Sequence, residues 1–537
     1  MRAALTAGRL DEAAAMADAA VCEAPGQSML VRLVAEQLER AGRGREAARL
    51  LTRALERTPD DAMLLIGLGG RLIQLGRSDE AIGLFKAAMR ADPASAEAPF
   101  ALGKTQTNAG DFDAARTNFE RAIELAPAYA DARAALANLL ARSGDAEAAR
   151  RQAERALADA PGHVDAAIAL AVVEVRTRAF TEAETRLRAL LRAPQLDAFA
   201  RAMATHTLAD ALDGLDRAAA AYLSYVAANE LFRQQASPHY PAASRAYLAN
   251  LARLAEAFER ADPADWRGAP SSPSERAAGA HVFLVGFPRS GTTLLENVLA
   301  AHPDVVTLEE RPTLEAADEG FLETPDGLGR LAALDVETAE RFRADYWRRV
   351  RAEGVVVEGR TFIDKLPLNT PKLALVAKLF PDAKILFARR DPRDVVLSCF
   401  RRSFQPNVAT YAMLTLKGAA DLYAGVMRLA DLYRRALPLA VHEVRYETFV
   451  EDFEAQTRTV CSFLGLAWDD RVLDFAGRAG ARLINTPSAA QVQRGIYRGG
   501  EGQWRRYRDQ LAPVAPVLAP WVEPFGYADG VAQGAAS

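Results

Sequence analysis

Residues 1–197 carry one spacing in four registers. Gly8, Gly42, Gly76, Gly110 and Gly144 stand 34 apart, as do Pro25, Pro59, Pro93, Pro127 and Pro161. The same interval separates Ala13, Ala47, Ala81, Ala115 and Ala149, and again Ala20, Ala54, Ala88, Ala122 and Ala156. A period of this length is one supersecondary unit stacked on copies of itself. Each mark has a physical role. The glycine ends the first helix of a pair, where a left-handed residue is wanted. The alanines let two helices approach closely. The proline breaks the chain after the second helix. The sequence therefore predicts helix pairs stacked into an α-solenoid, with a concave groove. A further unit, Val164 to about Leu196, has drifted: Arg178 replaces the glycine and Pro194 comes one position early, while Ala183 holds register. Met1 falls near the end of a first helix, so the true start lies upstream or the solenoid begins frayed.

The period and the pattern resemble those of tetratricopeptide repeats. The resemblance implies a groove for a protein or peptide; a scaffold or oligomerisation surface is the other reading, since a repeat marks a fold and not a ligand. Residues 198–262 are rich in alanine and leucine at helical spacing without the repeat marks. They are expected to cap the solenoid and pack against the C-terminal half of the chain, with Tyr222, Tyr225, Phe232 and Tyr240 in core or groove wall. Residues 263–280, rich in Pro, Gly, Ser and Ala, read as a linker.

A different pattern begins at His281 and runs to residue 530. Val282–Val285 is apolar throughout, as in a strand buried on both faces. The turn Gly286-Phe-Pro288-Arg289-Ser290-Gly291-Thr292-Thr293 comes next, then Leu294, Leu295, Val298 and Leu299 at helical spacing. Strand, glycine-bearing loop and helix form a phosphate cradle, in which backbone N–H groups and the helix dipole face the anion. The two glycines are spaced as in a G-x-x-x-x-G-K-[ST] loop, but Thr292 stands where the lysine belongs and Arg289 supplies the cation. That argues against a phosphotransferase using ATP. A second cationic stretch, KILFARRDPRDVVLSCFRRSF (384–404), reads as a strand followed by Arg389, Arg390 and Arg393, then a helix with Ser398 and Arg402. Two anion sites at strand-to-helix turns describe a nucleotide with phosphate at both ends.

FPRSGTT resembles the 5′-phosphosulfate loop of sulfotransferases that use 3′-phosphoadenosine-5′-phosphosulfate. HPDV followed by LEER is similar to the tyrosylprotein sulfotransferase branch. The resemblance covers roughly residues 280–527 and implies a parallel sheet with helices on both faces, nucleotide at the strand C-termini. It also implies roles. Residues 288–293 would bind the 5′-phosphosulfate, and Arg289, with Lys365 and Ser488, would stabilise the transferring group and leaving phosphate. Glu310 would be the base that takes the acceptor's proton. Lys365, in FIDKLPLN, would bridge leaving phosphate and transferring group, with Asp364 holding it and Val355–Val357 forming a short strand before it. Arg390 and Ser398, seven residues between them, match the family's 3′-phosphate pattern, and Arg402 lies a turn further on. Arginine suits that task because its fork donates bidentately. Tyr446, in VRYETFVED, matches a tyrosine near adenine or ribose; a core tyrosine is the other reading. Ser488 matches a serine assisting Lys365, and Arg494, Arg498, Arg505 and Arg506 suit a loop closing over the nucleotide. Gln503 departs from the family's Lys or Arg before the tryptophan, which either weakens one 3′-phosphate contact or passes it to Arg498 or Arg505.

The expected activity is sulfuryl transfer to a hydroxyl, protein tyrosine first, with a carbohydrate, lipid or small phenol as alternatives. A repeat scaffold with an inactive nucleotide-binding domain is the reading from another class. No metal is expected, since no His/Cys cluster is present and cations supply the charge; His302, before Pro303, reads as structural. The net charge of −4 gives no reason to invoke nucleic acid or membrane. Cys22, Cys399 and Cys461 are far apart and odd in number, which fits a reducing compartment. No stretch reads as a signal peptide or membrane span. The family's Golgi members are membrane-anchored; this chain is expected to be cytoplasmic.

Overall fold

The computed structural model describes residues 2–6, 8–23, 28–194, 196–267, 278–404, 407–475 and 498–527. They form two compact units, residues 1–193 and 194–537.

In the first unit, helix pairs alternate through Ser28–Arg40, Gly44–Arg57, Ala62–Gln74, Ser78–Ala91, Glu97–Ala109, Phe112–Leu125, Ala130–Ser143, Ala146–Asp159, Val164–Arg176 and Phe180–Leu191. The repeat marks do what their chemistry requires. Gly42, Gly76, Gly110 and Gly144 all take φ between +76° and +92°. Ala47, Ala81, Ala115 and Ala149 are fully buried between helices. Arg178 adopts φ +65° at the drifted glycine position, so the fold keeps its left-handed turn there at a cost of about 1 kcal/mol. Gly103 shows why small residues recur: a Cβ there would lie 2.8 Å from the Phe119 ring.

The second unit opens with three helices, α1 (Ala198–Gly214), α2 (Ala218–Gln235) and α3 (Tyr240–Glu259). They belong to the same compact unit as the sheet. Leu251 of α3, for example, packs on Gly425 of a long helix beside the sheet. Tyr225 is buried, and Tyr222 lies 5.4 Å from Phe400 between ring centroids.

Five strands make that sheet: β1 (Ala280–Gly286), β2 (Val305–Glu309), β3 (Thr361–Lys365), β4 (Lys384–Arg389) and β5 (Ala440–Arg445). All pair in parallel in the order β2-β3-β1-β4-β5. Between and after them run α4 (Thr292–Ala300), α5 (Val336–Ala352), α6 (Leu373–Leu379), α7 (Pro392–Phe400), α8 (Leu416–Ala436) and α9 (Phe453–Leu464). Central β1 has Val282 through Val285 fully buried, because helices cover both faces. Alternation along the strands sorts the two cores. Val282, Leu284, Ile363 and Leu386 pack with α4 and α9. His281, Phe283 and Phe362 join Tyr346, Trp347 and Phe380 in an aromatic cluster on the other face.

Val355–Val357 is not the expected strand. It is a loop, with Val356 66% exposed. The strand forms at Thr361–Lys365 instead, where all five residues are buried between β1 and β2. No described helix is long and apolar enough to cross a membrane.

Candidate active site at the carboxyl ends of the strands

The chemistry-bearing residues collect where the strands end. β1 runs into the loop 287–291, which caps the N-terminus of α4. Gly286 takes φ +149°, and a Cβ there would lie 2.3 Å from the Ala388 carbonyl oxygen of β4. Its N–H donates to Thr370 Oγ1 at 2.9 Å, and that hydroxyl donates to Gly286 O at 2.7 Å. Gly291 takes φ +100°, and a Cβ there would lie 2.8 Å from the Tyr446 ring. Tyr446 comes directly after β5 and forms one wall of the loop. Ser290 Oγ donates to Phe287 O at 2.6 Å, so it braces the turn. Thr292 and Thr293 are buried at the start of α4.

Arg289 takes φ +72°, rare for a residue with a side chain, and is 7% exposed. Its Nε donates to Ser398 Oγ of α7 at 3.0 Å. The two loops read separately from sequence are thus one site. Arg390, after β4, donates through one terminal nitrogen to Arg289 O at 3.1 Å and through the other to Gly500 O, and stacks 4.9 Å from the Tyr446 ring centroid. Its Nε is buried without a partner among the described residues. Arg402 is half-buried and has no carboxylate partner among the described residues. Burial, then Arg402 and Arg390, push the Arg289 guanidinium down to about 9. Crowded cations held out of water are relieved by an anion. The buried Arg390 Nε, without a partner among the described residues, and two glycines whose Cβ would clash fit a phosphorylated nucleotide.

Arg389 and Arg393, read as part of the same cationic cluster, do other work. Arg389 pairs with Glu443 at 3.3 Å. Arg393 pairs with Asp391 at 2.8 Å and stacks 3.7 Å from the Trp504 ring centroid.

Lys365, at the end of β3, is fully buried in a cage of carboxylates. Glu310 lies at 2.9 Å, Glu296 at 3.2 Å and Glu309 at 3.3 Å. Burial opposes its charge, but Glu296, Glu310 and Glu309 outweigh burial and hold the ammonium well above lysine's ordinary range. Glu310 takes φ +49°, and its N–H extends the β2–β3 ladder to Lys365 O at 2.7 Å. Its side chain is 41% exposed, so it meets both the lysine and solvent. The geometry brings one partly exposed carboxylate, one buried cation and an anion loop together.

Asp364 does not hold Lys365. Adjacent strand residues point to opposite faces, and Asp364 enters the aromatic core, where Thr313 and Tyr346 donate to its Oδ2 at 2.7 and 2.8 Å. Burial lifts its carboxyl to about 6 against those two hydrogen bonds. Arg506 is not a free cation over the nucleotide: it pairs with Asp216 at 2.7 Å and Asp213 at 3.2 Å. Arg505 lies 5.3 Å from the Trp504 ring centroid, and Gln503 donates to Gly499 O at 2.8 Å. Ser488, Arg494 and the Arg498 side chain lie outside the described residues. His302 is structural, its Nε2 donating to Ala467 O at 2.8 Å.

Three residues of the site escaped the sequence reading. Glu296 sits on α4 at a helical position that reads as solvent-facing until β3 delivers Lys365 to it. Thr370 and Asp394 fasten loops; Asp394 accepts from Gly502 N at 2.7 Å and Trp504 N at 2.8 Å. Their partners are far away in sequence, so no local pattern marks them.

Residues 281–470 match the family described as Sulfotransferase family. Residues 35–96, 107–155 and 134–198 match families described as Tetratricopeptide repeat. An uncharacterized protein of Aquifex aeolicus is 27% identical over 346 residues, covering 62% of this chain and 43% of that protein. Protein-tyrosine sulfotransferase 1 of Danio rerio is 29% identical over 257 residues, covering 44% of this chain and 70% of that protein. Among solved structures, the crystal structure of MamA is similar over 34% of this chain and 96% of its own, at 23% identity and a TM-score of 0.25. The chain thus spans less than half of the Aquifex relative. It carries tetratricopeptide repeats within residues 35–198, followed by a C-terminal domain of the sulfotransferase family.

Proposed function

We propose that this chain moves a sulfuryl group from 3′-phosphoadenosine-5′-phosphosulfate to the hydroxyl of a protein tyrosine. The observation that carries the reading is the joining of two anion loops, by Arg289 Nε to Ser398 Oγ at 3.0 Å, beside a Lys365–Glu310 pair at 2.9 Å. The nucleotide supplies an activated sulfuryl group and a leaving phosphate. The chain's residues do the rest. Arg289 and the amides of residues 290–293 hold the 5′ end, while Arg390, Ser398 and Arg402 hold the 3′-phosphate and Tyr446 walls the nucleoside. Glu310 accepts the acceptor's O–H proton as the new O–S bond forms. Lys365 stabilises the charge that builds on the phosphate oxygen as the old S–O bond breaks. Ser488 and Arg498 are assigned to the same site by the resemblance alone.

Tyrosine is favoured by the name of the zebrafish relative and by a repeat unit suited to holding a peptide or protein partner. Cys399 and Cys461 are buried free thiols, which suits the cytoplasm. The nucleotide test is thermal stability with adenosine 3′,5′-bisphosphate against ATP. A ligand at about 1,000 times its Kd adds roughly 4 kcal/mol, so the bisphosphate should raise the melting temperature and ATP should not. A shift with ATP alone would make the chain a phosphotransferase, and none with either would leave a scaffold. Labelled sulfate offered with tyrosine peptides, glycans and small phenols then decides the acceptor.

A further inference from the structure

Helices α1 and α2 lie between the two family matches, which end at residue 198 and begin at residue 281. They close on the C-terminal end of α7, the helix that carries Ser398. A helix leaves its last carbonyls without intrahelical partners. Here Asn229 Nδ2 donates to Phe400 O at 3.0 Å, and His206 Nε2 donates to Arg401 O at 3.2 Å. The Arg401 side chain pairs with Asp213 Oδ2 and lies 5.5 Å from the Tyr225 ring centroid and 5.3 Å from that of Tyr507. The other oxygen, Asp213 Oδ1, accepts from the Tyr507 hydroxyl at 2.6 Å and lies 3.2 Å from Arg506. Arg506 also donates to the Asp213 backbone oxygen at 2.7 Å.

One carboxylate therefore ties two pieces together. The first is the end of α7, with Ser398 one turn before Arg401 and Arg402 immediately after it. The second is the segment 498–507, whose Gly500 carbonyl accepts from Arg390. Asp213 also cancels the charge of Arg401. The cations that line the anion site are then Arg402, with no carboxylate partner among the described residues, and its neighbours Arg390 and Arg289.

We infer that Asp213, through Arg401 and Tyr507, is a positioning residue for the 3′-phosphate subsite, so that the α1–α2 hairpin is part of the nucleotide site. This rests on the proposed nucleotide. A hairpin that merely stabilised the domain would affect all nucleotides alike. A hairpin that sets Arg402 and Arg390 would affect only those with a 3′-phosphate.

The experiment is titration calorimetry on the full chain with adenosine 3′,5′-bisphosphate and with adenosine 5′-monophosphate, for wild type, Asp213→Asn and Tyr507→Phe. Wild type should prefer the bisphosphate; lack of that preference defeats the proposed nucleotide, not the hairpin's role alone. Asp213→Asn should cut the preference about tenfold, a change of about 1.4 kcal/mol, with the monophosphate affinity unchanged. Tyr507→Phe should cut it less, in the same direction. Equal losses for both ligands, or an unchanged preference in a folded variant, overturn the inference. If circular dichroism shows Asp213→Asn unfolded, Tyr507→Phe decides by the same criterion.

Discussion

Replacing Lys365 by Met tests how the site stores charge. Lys365 is fully buried, and its partner Glu296 is only 3% exposed at 3.2 Å. At that distance and an effective dielectric of ~20, their attraction is ~5 kcal/mol. The Glu310 contact is shorter but 41% exposed, so water screens much of it. Methionine matches the stem of lysine and removes only the charge, leaving Glu296 and Glu309 facing each other inside the protein. Breaking a buried pair in this way costs about 3–5 kcal/mol. Glu296→Gln in the same chain should return a large part of that cost, because the stranded charge is gone. The interaction between the two substitutions should therefore exceed about 2 kcal/mol. The assay is urea unfolding at pH 7 followed by tryptophan fluorescence. All five tryptophans, Trp266, Trp347, Trp468, Trp504 and Trp521, lie in the second unit, so the signal ignores the repeats. A Lys365→Met cost under about 1 kcal/mol, or costs that simply add, would refute the view of Glu296 as the buried counter-charge.

Glu310→Gln should separate chemistry from stability: transfer is abolished, nucleotide binding remains, and urea unfolding shifts by less than about 1 kcal/mol because the pair is half-exposed. Transfer that persists in this variant would show that the base lies elsewhere. Asp364, raised to about 6 in the fold against about 3.9 unfolded, makes stability depend on pH. Its contribution is full below the unfolded value and is lost as pH rises through about 6, a loss of roughly 3 kcal/mol for about two pKa units. Asp364→Asn should flatten that slope in fluorescence-monitored urea titrations between about pH 4 and 7. Gly286→Ala should cost about 1–3 kcal/mol and abolish bisphosphate binding in calorimetry, because its Cβ meets the Ala388 carbonyl oxygen.

The repeat unit was legible because its information is local. A glycine that must be left-handed, an alanine that must be small and a proline that must break a helix recur at one interval, and each acts within its own helix pair. The drift at Arg178 was legible too, and the structure keeps φ +65° there because the neighbouring repeats fix the turn. The strand-loop-helix motifs at Val282–Thr293 and Ile385–Ser398 carried their own signals for the same reason: buried strand, obligatory glycine and cation lie within one short stretch.

Strand alternation alone was enough to separate Asp364 from Lys365, yet sequence neighbourhood suggested a contact. The sheet sends Asp364 to Tyr346 and Lys365 to Glu296, Glu309 and Glu310. Arg389, Arg393 and Arg506 look like Arg390 and Arg402 in sequence, because a cation carries no mark of whether a carboxylate awaits it. Glu443 and Asp216 decide that for Arg389 and Arg506, and each meets its arginine only after folding, whereas Asp391 stands two residues from Arg393. Sequence by itself determined the helix pairs, the two strand-loop-helix motifs and the residue chemistry, since these depend on spacing along the chain. Tertiary structure alone decided where β3 forms, that Arg389 and Arg506 meet carboxylates, that Glu296 faces Lys365, and that Asp213 reaches Arg401, since each is a meeting of distant segments that only parallel pairing and helix packing bring about.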